Sequence, residues 1–417
     1  MVLPLPADLE KRGMTQAPRS RWWRRWPSFR RDRDLITVAL ERGADSGGCA
    51  VCSILEARER RSLWILLREH VLDPGTRGDW NRTLGFCARH TSALCATATG
   101  MGQLPGVAIL FGDTTREVTR RIGTGAPLHV WRDCLECGRE VQSEAAHLRR
   151  LAQQLGDAGW TAQWAPKLRL CVRHAASIMG TGMGTGVRAR PTVPLADHLR
   201  ELAVIGGGHD ARSLRRTLAT LQAALLGFES PSGIPARPLW GCGQCDAETA
   251  AATDVGRRLF QEGGAPEGTL CRRHASLLLD RSAVTLAQLA AHYSAALQAA
   301  AGALEERRTK RSAVLPSACP LCDFVEAHAR ELAASAEPDS EAALCLRHTE
   351  VALERPGSAR GFRAAHVEAL RALAHELGEL HRKSAWDARE EPKGTEQTSW
   401  IRAAHYLSYD KGTALDP

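Results

Sequence analysis

GFCARH, residues 85–90, contains a Cys-x-Arg-His pattern that the chain repeats three more times, in RLCVRH (169–174), TLCRRH (269–274) and ALCLRH (343–348). Each copy follows a Cys-x-x-Cys pair, in the order CAVC (49–52), CLEC (134–137), CGQC (242–245) and CPLC (319–322). Twelve of the thirteen cysteines belong to these pairs, and Cys95 is the one left over. The recurrence divides the chain into four repeats, each with three cysteines and one histidine.

Three cysteines and one histidine are a standard ligand set for a structural zinc ion, which takes four ligands in a tetrahedron. A Cys-x-x-Cys turn lets two thiolates converge, and a Cys and a His three residues apart lie on one face of a helical turn. We therefore predict four zinc sites and assign both pairs of a repeat to one metal. A permuted pairing between neighbouring repeats stays open. The predicted ligands are Cys49, Cys52, Cys87 and His90; Cys134, Cys137, Cys171 and His174; Cys242, Cys245, Cys271 and His274; and Cys319, Cys322, Cys345 and His348.

Other chemistry can use the same residues. Iron–sulfur clusters usually take four cysteines, although histidine can replace some of them. Reversible oxidation of the Cys-x-x-Cys pairs is a second alternative, but it leaves the histidines unexplained. A redox or metal sensor is therefore the main alternative to structural zinc sites.

An arginine precedes each histidine of the four repeats. Three thiolates, one neutral histidine and a divalent zinc ion leave a site with a net charge of −1, which a guanidinium could offset as a second-shell group. A solvent-facing arginine that contacts an acidic partner is the alternative. The four residues are Arg89, Arg173, Arg273 and Arg347.

The pattern around the ligands predicts a mainly α fold. An apolar residue precedes the Cys of each Cys-x-Arg-His and small or apolar residues follow the His, so we place the Cys near the N-cap of a helix and the His in its first turn, as in a treble-clef zinc finger. The segments between the ligand pairs have helical periodicity. Each repeat is then a zinc-clamped helical hairpin, and longer helices at 213–228, 285–311 and 361–386 join the units.

Six segments follow from this interpretation. We expect a basic Trp/Arg-rich arm, four metal repeats of the CCCH type and a C-terminal tail. Their ranges are 1–45, 46–128, 129–232, 233–314, 315–388 and 389–417.

Composition and charge set the broad class. The 417 residues are 44% apolar and 24% charged, as in an ordinary soluble globular protein. The formal net charge is +8, and 49 of the 55 basic residues are arginine, which recognises phosphates and carboxylates well. These values favour a nucleic acid or an acidic protein as partner, although a GC-rich genome also explains the arginine.

The start, MVLPLPADLEKR, is not typical of a secretory signal, and no stretch reaches the roughly 20 apolar residues of a membrane span. We expect a cytoplasmic protein with reduced cysteines.

The N-terminal arm interleaves tryptophan and arginine in RWWRRW (21–26). Such a segment can stack on single-stranded bases or lie on an anionic membrane surface. Docking of the tryptophans on the protein core is the alternative. The candidate partner-binding residues are Trp22, Trp23, Arg24, Arg25 and Trp26.

No arrangement typical of an enzyme is found. The chain lacks Gly-x-Ser-x-Gly and His-Glu-x-x-His, and the Gly-rich stretch at 179–186 lacks the Lys-Ser/Thr of a P-loop. Closed sites of three Cys and one His leave no open coordination position for hydrolysis. The sequence therefore favours a structural or regulatory binding protein, with an accessory protein of a biosynthetic enzyme as a further alternative.

The repeats resemble a bacterial protein family built on CPxC…GxCxxH metal-binding units. The first repeat, CAVCSILEARERR…VLDPGTRGDWNRTLGFCARH, carries the resemblance best, and the tail HRKSAWDAREEPKGTEQTSWIRAAHYL is similar to the C-terminal segment of that family. Only the fourth repeat keeps the proline after the first cysteine. The resemblance implies metal binding, and it supplies neither a reaction nor a partner.

Overall fold

The chain is mainly helical, as the sequence predicts. The computed structural model describes residues 34–46, 48–128, 134–180, 200, 211–226, 242–261, 268–305, 319–325, 327, 344–353, 360–388 and 390–407. Within these ranges there is no β-strand, and one isolated bridge pairs Cys49 with Arg169.

Helix α1 (Leu35–Ala44) precedes the first repeat. The helices of the first two repeats are α2 (Ala50–Ile65), α3 (Pro74–Arg82), α4 (Ala88–Met101), α5 (Leu104–Thr124), α6 (Leu135–Leu155), α7 (Ala158–Trp164), α8 (Val172–Gly180) and α9 (Ala211–Leu226). Residues Leu66–His70 continue α2 as a short π-helix. The later helices are α10 (Gly243–Gln261), α11 (Arg272–Asp280), α12 (Leu286–Glu305), α13 (Leu346–Leu353), α14 (Arg360–Arg382) and α15 (Ser399–Leu407). Residues 320–325 are also helical, and Thr395–Thr398 form a 3₁₀ turn.

Local sequence explains several helix boundaries. Asp73 caps α3 by accepting a 2.7 Å hydrogen bond from the backbone N–H of Thr76, and Pro74 occupies the first helical position. Asp157 caps α7 in the same way, through the N–H of Trp160. Gly102 and Gly125 end α4 and α5 with φ of 66° and 73°, a conformation that favours glycine.

Two kinds of contact connect the repeats. The long helices that follow the Cys-x-Arg-His motifs pack in pairs: α5 packs along α14, which joins the first repeat to the fourth, and α9 packs along α12, which joins the second to the third. The cysteine pairs described below join the first repeat to the second and the third to the fourth. Each repeat is thus connected to two others, and the four form a closed cycle.

Three large apolar clusters and a small one around site D, with Leu344 and Phe362, fill the interior of the described residues. One lies among α3, α4, α5, α14 and α15 and includes Trp80, Phe111 and Leu377. A second lies among α1, α2, α6, α7 and α8, and a third among α8, α9, α11 and α12. The C-terminal helix α15 is part of the first cluster, because Trp400 and Tyr406 are buried there.

Candidate metal centres

The sixteen predicted ligands form four compact groups. In each group the sulfur atoms and a histidine nitrogen all lie within 4.8 Å of one another. Site A is Cys49, Cys52, Cys171 and His174; site B is Cys87, His90, Cys134 and Cys137; site C is Cys271, His274, Cys319 and Cys322; site D is Cys242, Cys245, Cys345 and His348.

The predicted pairing within each repeat is wrong. In all four sites the Cys-x-x-Cys of one repeat meets the Cys-x-Arg-His of another. Repeats one and two exchange pairs to form sites A and B, and repeats three and four exchange pairs to form sites C and D.

Helix length explains this exchange. The helix that begins after Cys49 runs for 21 residues, 16 in α2 and 5 in its π-helical extension, so it carries the chain about 30 Å away. The returning helix α3 has only 9 residues and spans about 14 Å. Cys87 therefore lies near the far end of α2, where the second repeat supplies the facing pair.

Donor distances fit a single tetrahedral ion. With Zn–S bonds of about 2.3 Å and Zn–N bonds of about 2.0 Å, a tetrahedron separates two sulfurs by about 3.8 Å and a sulfur from a nitrogen by about 3.5 Å. In site A, the Sγ atoms of Cys52 and Cys171 lie 3.8 Å apart, and Nδ1 of His174 lies 3.2–3.4 Å from the three sulfurs.

The other three sites have the same dimensions. In site B, Nδ1 of His90 lies 3.3–3.4 Å from each sulfur. The sulfur atoms of Cys87 and Cys137 in site B lie 3.6 Å apart, those of Cys271 and Cys322 in site C 3.7 Å apart, and those of Cys245 and Cys345 in site D 3.6 Å apart. Each site is also buried, with the histidine and at least one cysteine less than about a tenth exposed to solvent.

Every site lies where two helices begin. Cys87 and Cys271 are the N-caps of α4 and α11, and Cys49 and Cys134 are the N-caps of α2 and α6. None of these four side chains caps its own helix with a hydrogen bond, because the sulfur is directed into the site. The predicted placement of the Cys at the N-cap and the His in the first turn is therefore confirmed at α4 and α11. Two helix N-termini add partial positive charge around the thiolates.

Hydrogen bonds decide which thiol gives up its proton in site B. Hydrogen bonds from Cys137 and Cys87 lower the pKa of Cys134 far below its usual range, although burial opposes this shift. Hydrogen bonds to Cys134 and Cys137, together with burial, raise the pKa of Cys87. Burial alone would lower the pKa of His90, but the thiolates raise it to about 11. Protons therefore balance the charge of the thiolates in the metal-free cluster.

Among the residues that the structure describes, carboxylates lie on the Nε2 side of three of the four histidines, His90, His174 and His348. Nε2 of His174 lies 3.2 Å from Glu144, and Nε2 of His348 lies 2.9 Å from Glu248. His90 has two carboxylates nearby, with Glu59 at 3.3 Å and Glu140 at 3.6 Å. The His348–Glu248 contact is a hydrogen bond, whereas the contacts of His174 and His90 are close approaches of charged groups. A carboxylate in this position orients the ring with Nδ1 towards the metal at many zinc sites.

Sequence reasoning missed these carboxylates, although their spacing could have shown them. Glu140 and Glu248 each follow the second cysteine of a Cys-x-x-Cys by three residues, and Glu59 and Glu144 follow it by seven. Offsets of three and seven keep a residue on the face of the helix that carries the ligands.

Arginines that precede a histidine contact the same carboxylates in three repeats. Arg89 pairs with Glu140, Arg173 donates to Glu144 at 2.7 Å, and Arg347 donates to Glu248 at 3.3 Å. These arginines therefore lie behind the histidine, where they help to hold its acidic partner. Arg273 is exposed on the first turn of α11.

The remaining candidate residues lie elsewhere. Trp22, Trp23, Arg24, Arg25 and Trp26 lie outside the described residues, as does most of the Gly-rich stretch 179–186. Cys95 is fully buried in α4 within the first apolar cluster, and burial raises the pKa of its thiol to about 12. It behaves as a small core residue. None of the helices in the described ranges has the length and apolar composition needed to cross a bilayer.

Comparisons of this chain with protein-family models, curated proteins and solved structures gave no match. The resemblance to the CPxC…GxCxxH family stays a prediction based on motifs. What the geometry supports directly is four groups of three cysteines and one histidine that could each hold a metal ion.

Proposed function

We propose that the protein binds four structural zinc ions, one in each of sites A to D, and that these ions fasten neighbouring repeats to each other. The observation that carries this proposal is the agreement between the donor distances and one tetrahedral ion in all four sites. The buried carboxylates of Glu144, Glu59 and Glu248, on the Nε2 side of the histidines, add the arrangement that orients metal-binding histidines.

Zinc is preferred to an iron–sulfur cluster for a geometric reason. In a cluster the protein ligands bind different irons separated by bridging sulfides, so their sulfurs lie further apart than around one ion. The four donors of each site lie within 4.8 Å of one another. Zinc also prefers this mixture of thiolate and imidazole in a tetrahedron.

The role of the ions is structural in this account. Three thiolates and one imidazole fill four coordination positions, so no position stays open for a substrate. Each ion joins segments that are about 50 to 120 residues apart in the chain, as the contacts Cys87–Cys137 and Cys52–Cys171 illustrate. Metal binding then contributes directly to folding, with an apparent free energy on the order of 10 kcal/mol per ion.

Cobalt substitution tests the coordination. Refolding with Co(II) in place of zinc should give the intense visible absorption of tetrahedral thiolate cobalt. With Co(II) in excess, so that the other three sites stay filled, Cys171→Ser should remove about a quarter of the thiolate-cobalt signal, because it removes one ligand of one site in four. The matched control is Cys95→Ala, which changes a buried cysteine outside the sites and should leave the intensity unchanged. Weak, octahedral-type absorption would contradict the proposal.

The metal-fastened helices would serve as a scaffold for an acidic partner, with a nucleic acid as the first candidate. The net charge of +8 and the Arg/Trp-rich segment 21–34 support this choice. The affinity for a single-stranded oligonucleotide should fall steeply with salt, because bound arginines release counterions. Deleting residues 1–34 should weaken binding further. Binding that is absent, or insensitive to salt, would remove the nucleic acid and leave an acidic protein as the candidate.

A further inference from the structure

Helices α2 and α6 each serve two metal centres. The first turn of α2 supplies Cys49 and Cys52 to site A, whereas Glu59, further along the same helix, lies beside His90 of site B. Helix α6 shows the reciprocal arrangement. Its first turn supplies Cys134 and Cys137 to site B, and its Glu144 lies beside His174 of site A.

A buried carboxylate fastens the two helices at the same place. Glu136 lies in the sequence between Cys134 and Cys137 of site B, and its side chain is buried, with 1% exposed. It accepts hydrogen bonds from Arg58 at 3.2 Å and from Ser62 at 3.0 Å, which are on α2 on either side of Glu59. A shift of the site B cysteines therefore moves the part of α2 that carries Glu59.

We propose that Glu59 and Glu144 join sites A and B into one cooperative two-ion unit. Each ion orders the helix, α2 or α6, whose carboxylate positions the histidine of the other site. This inference rests on the proposed occupation of the sites by zinc. Glu59 and Glu144 act here as positioning residues, since neither belongs to the ligand groups.

The second half of the chain provides an internal comparison. At the position seven residues after the second cysteine, the third repeat has Ala252 and the fourth has Ala329, and alanine cannot orient a histidine. The carboxylate behind His348 of site D is Glu248, on α10, which also carries the cysteines of site D. The equivalent positions of the third and fourth repeats therefore do not carry the carboxylates that sites A and B exchange.

Sites A and B should not lose equal zinc affinity when their partner glutamate is removed. Site A has Glu144 behind its histidine, whereas site B has Glu140 in addition to Glu59. Glu144→Ala should lower the zinc affinity of site A by about 10- to 100-fold, the usual effect of losing such a partner. Glu59→Ala should have a smaller effect on site B, and Glu144→Gln, which keeps an acceptor, should restore much of the affinity of site A.

The first experiment uses the unmodified full-length protein. Zinc is withdrawn with a graded series of chelator concentrations, and each cysteine is scored by isotope-coded alkylation and peptide mass spectrometry. The proposal predicts that Cys171 of site A and Cys87 of site B lose protection together. Cys345 of site D and Cys271 of site C should lose protection from alkylation at two different chelator concentrations. Independent loss at sites A and B would overturn the proposal. A protein without zinc would instead show that the proposed function is wrong.

A double-mutant cycle then tests the route of the coupling. Cys137→Ser breaks site B and should lower the zinc affinity of site A, read from the protection of Cys171, by about tenfold or more. In a Glu144→Ala background the same substitution should add little. The matched control is Cys322→Ser in site C, read at Cys345 of site D, which should change less. If the double variant lowered the zinc affinity of site A by the product of the two single fold-changes, Glu144 would be excluded as the link between the sites.

Discussion

The sulfur atoms of Cys52 and Cys171 lie 3.8 Å apart, although 119 residues separate them. This contact fastens the first repeat to the second, and the equivalent contact between Cys245 and Cys345 fastens the third to the fourth. The long helices then connect the first repeat to the fourth and the second to the third. A single repeat is therefore not a complete metal-binding unit.

Cys49→Ser tests the exchange of ligand pairs. With zinc in excess, the substitution should expose Cys171 and leave Cys87 protected, because Cys49 shares a site with Cys171. The measurement is alkylation of each cysteine followed by peptide mass spectrometry. Exposure of Cys87 with continued protection of Cys171 would instead support pairing within the first repeat.

Zinc binding should release protons. In the metal-free state the thiolates raise the pKa of His90 and of His348 to about 11, so both imidazoles are protonated at neutral pH. A histidine whose pKa is raised in this way keeps its proton until the pH exceeds about 11, and a metal ion must displace it. The apparent zinc affinity should therefore rise with pH between 6 and 9. Calorimetry in buffers of different ionisation enthalpy should give more than one proton released per ion; release of none would contradict this charge state.

Trp400→Ala tests whether the C-terminal segment belongs to the core. Trp400 is 8% exposed and packs in the first apolar cluster, where α15 lies against α5. Its removal should lower the free energy of unfolding by about 3–5 kcal/mol. Trp386→Ala, at a tryptophan that is 78% exposed, is the control and should have little effect in chemical denaturation. Equal effects of the two substitutions would argue against the packing of α15.

Cys95 should resist alkylation as long as the protein is folded. It is fully buried, and burial raises its pKa to about 12, so almost no thiolate is present at neutral pH. Removing zinc without unfolding the first apolar cluster should leave Cys95 unlabelled while site cysteines react. Labelling of Cys95 at the same rate as Cys87 would show that the cluster depends entirely on the metal.

Much of the architecture follows from the sequence. The predicted helices at 213–228, 285–311 and 361–386 correspond to Ala211–Leu226, Leu286–Glu305 and Arg360–Arg382. Helix α5 was not predicted, and its sequence, with one proline, three glycines and four threonines, is a poor helix former. Packing along α14 stabilises it, and that contact joins residues more than 200 positions apart.

The candidate site was predicted only in part. Spacing identified all sixteen residues of the four groups, because Cys-x-x-Cys and Cys-x-Arg-His each suit one helical turn. Spacing does not say which two turns meet, since this depends on how far α2 and α6 carry the chain before it returns. The carboxylates behind the histidines follow the same division. Spacing places Glu59 and Glu144 on the helix face that carries the ligands, but each lies beside a histidine of the other site, and that pairing appears only when both repeats are seen together.

Metal content tests the central claim most directly. The full-length protein, purified without oxygen, would be analysed by elemental mass spectrometry, by native mass spectrometry and by its visible spectrum. The account predicts four zinc ions per chain, a mass that exceeds the metal-free chain by four ions, and no visible absorption. Iron with visible absorption, sulfide-containing clusters, or fewer than four ions in a fully folded protein would contradict it.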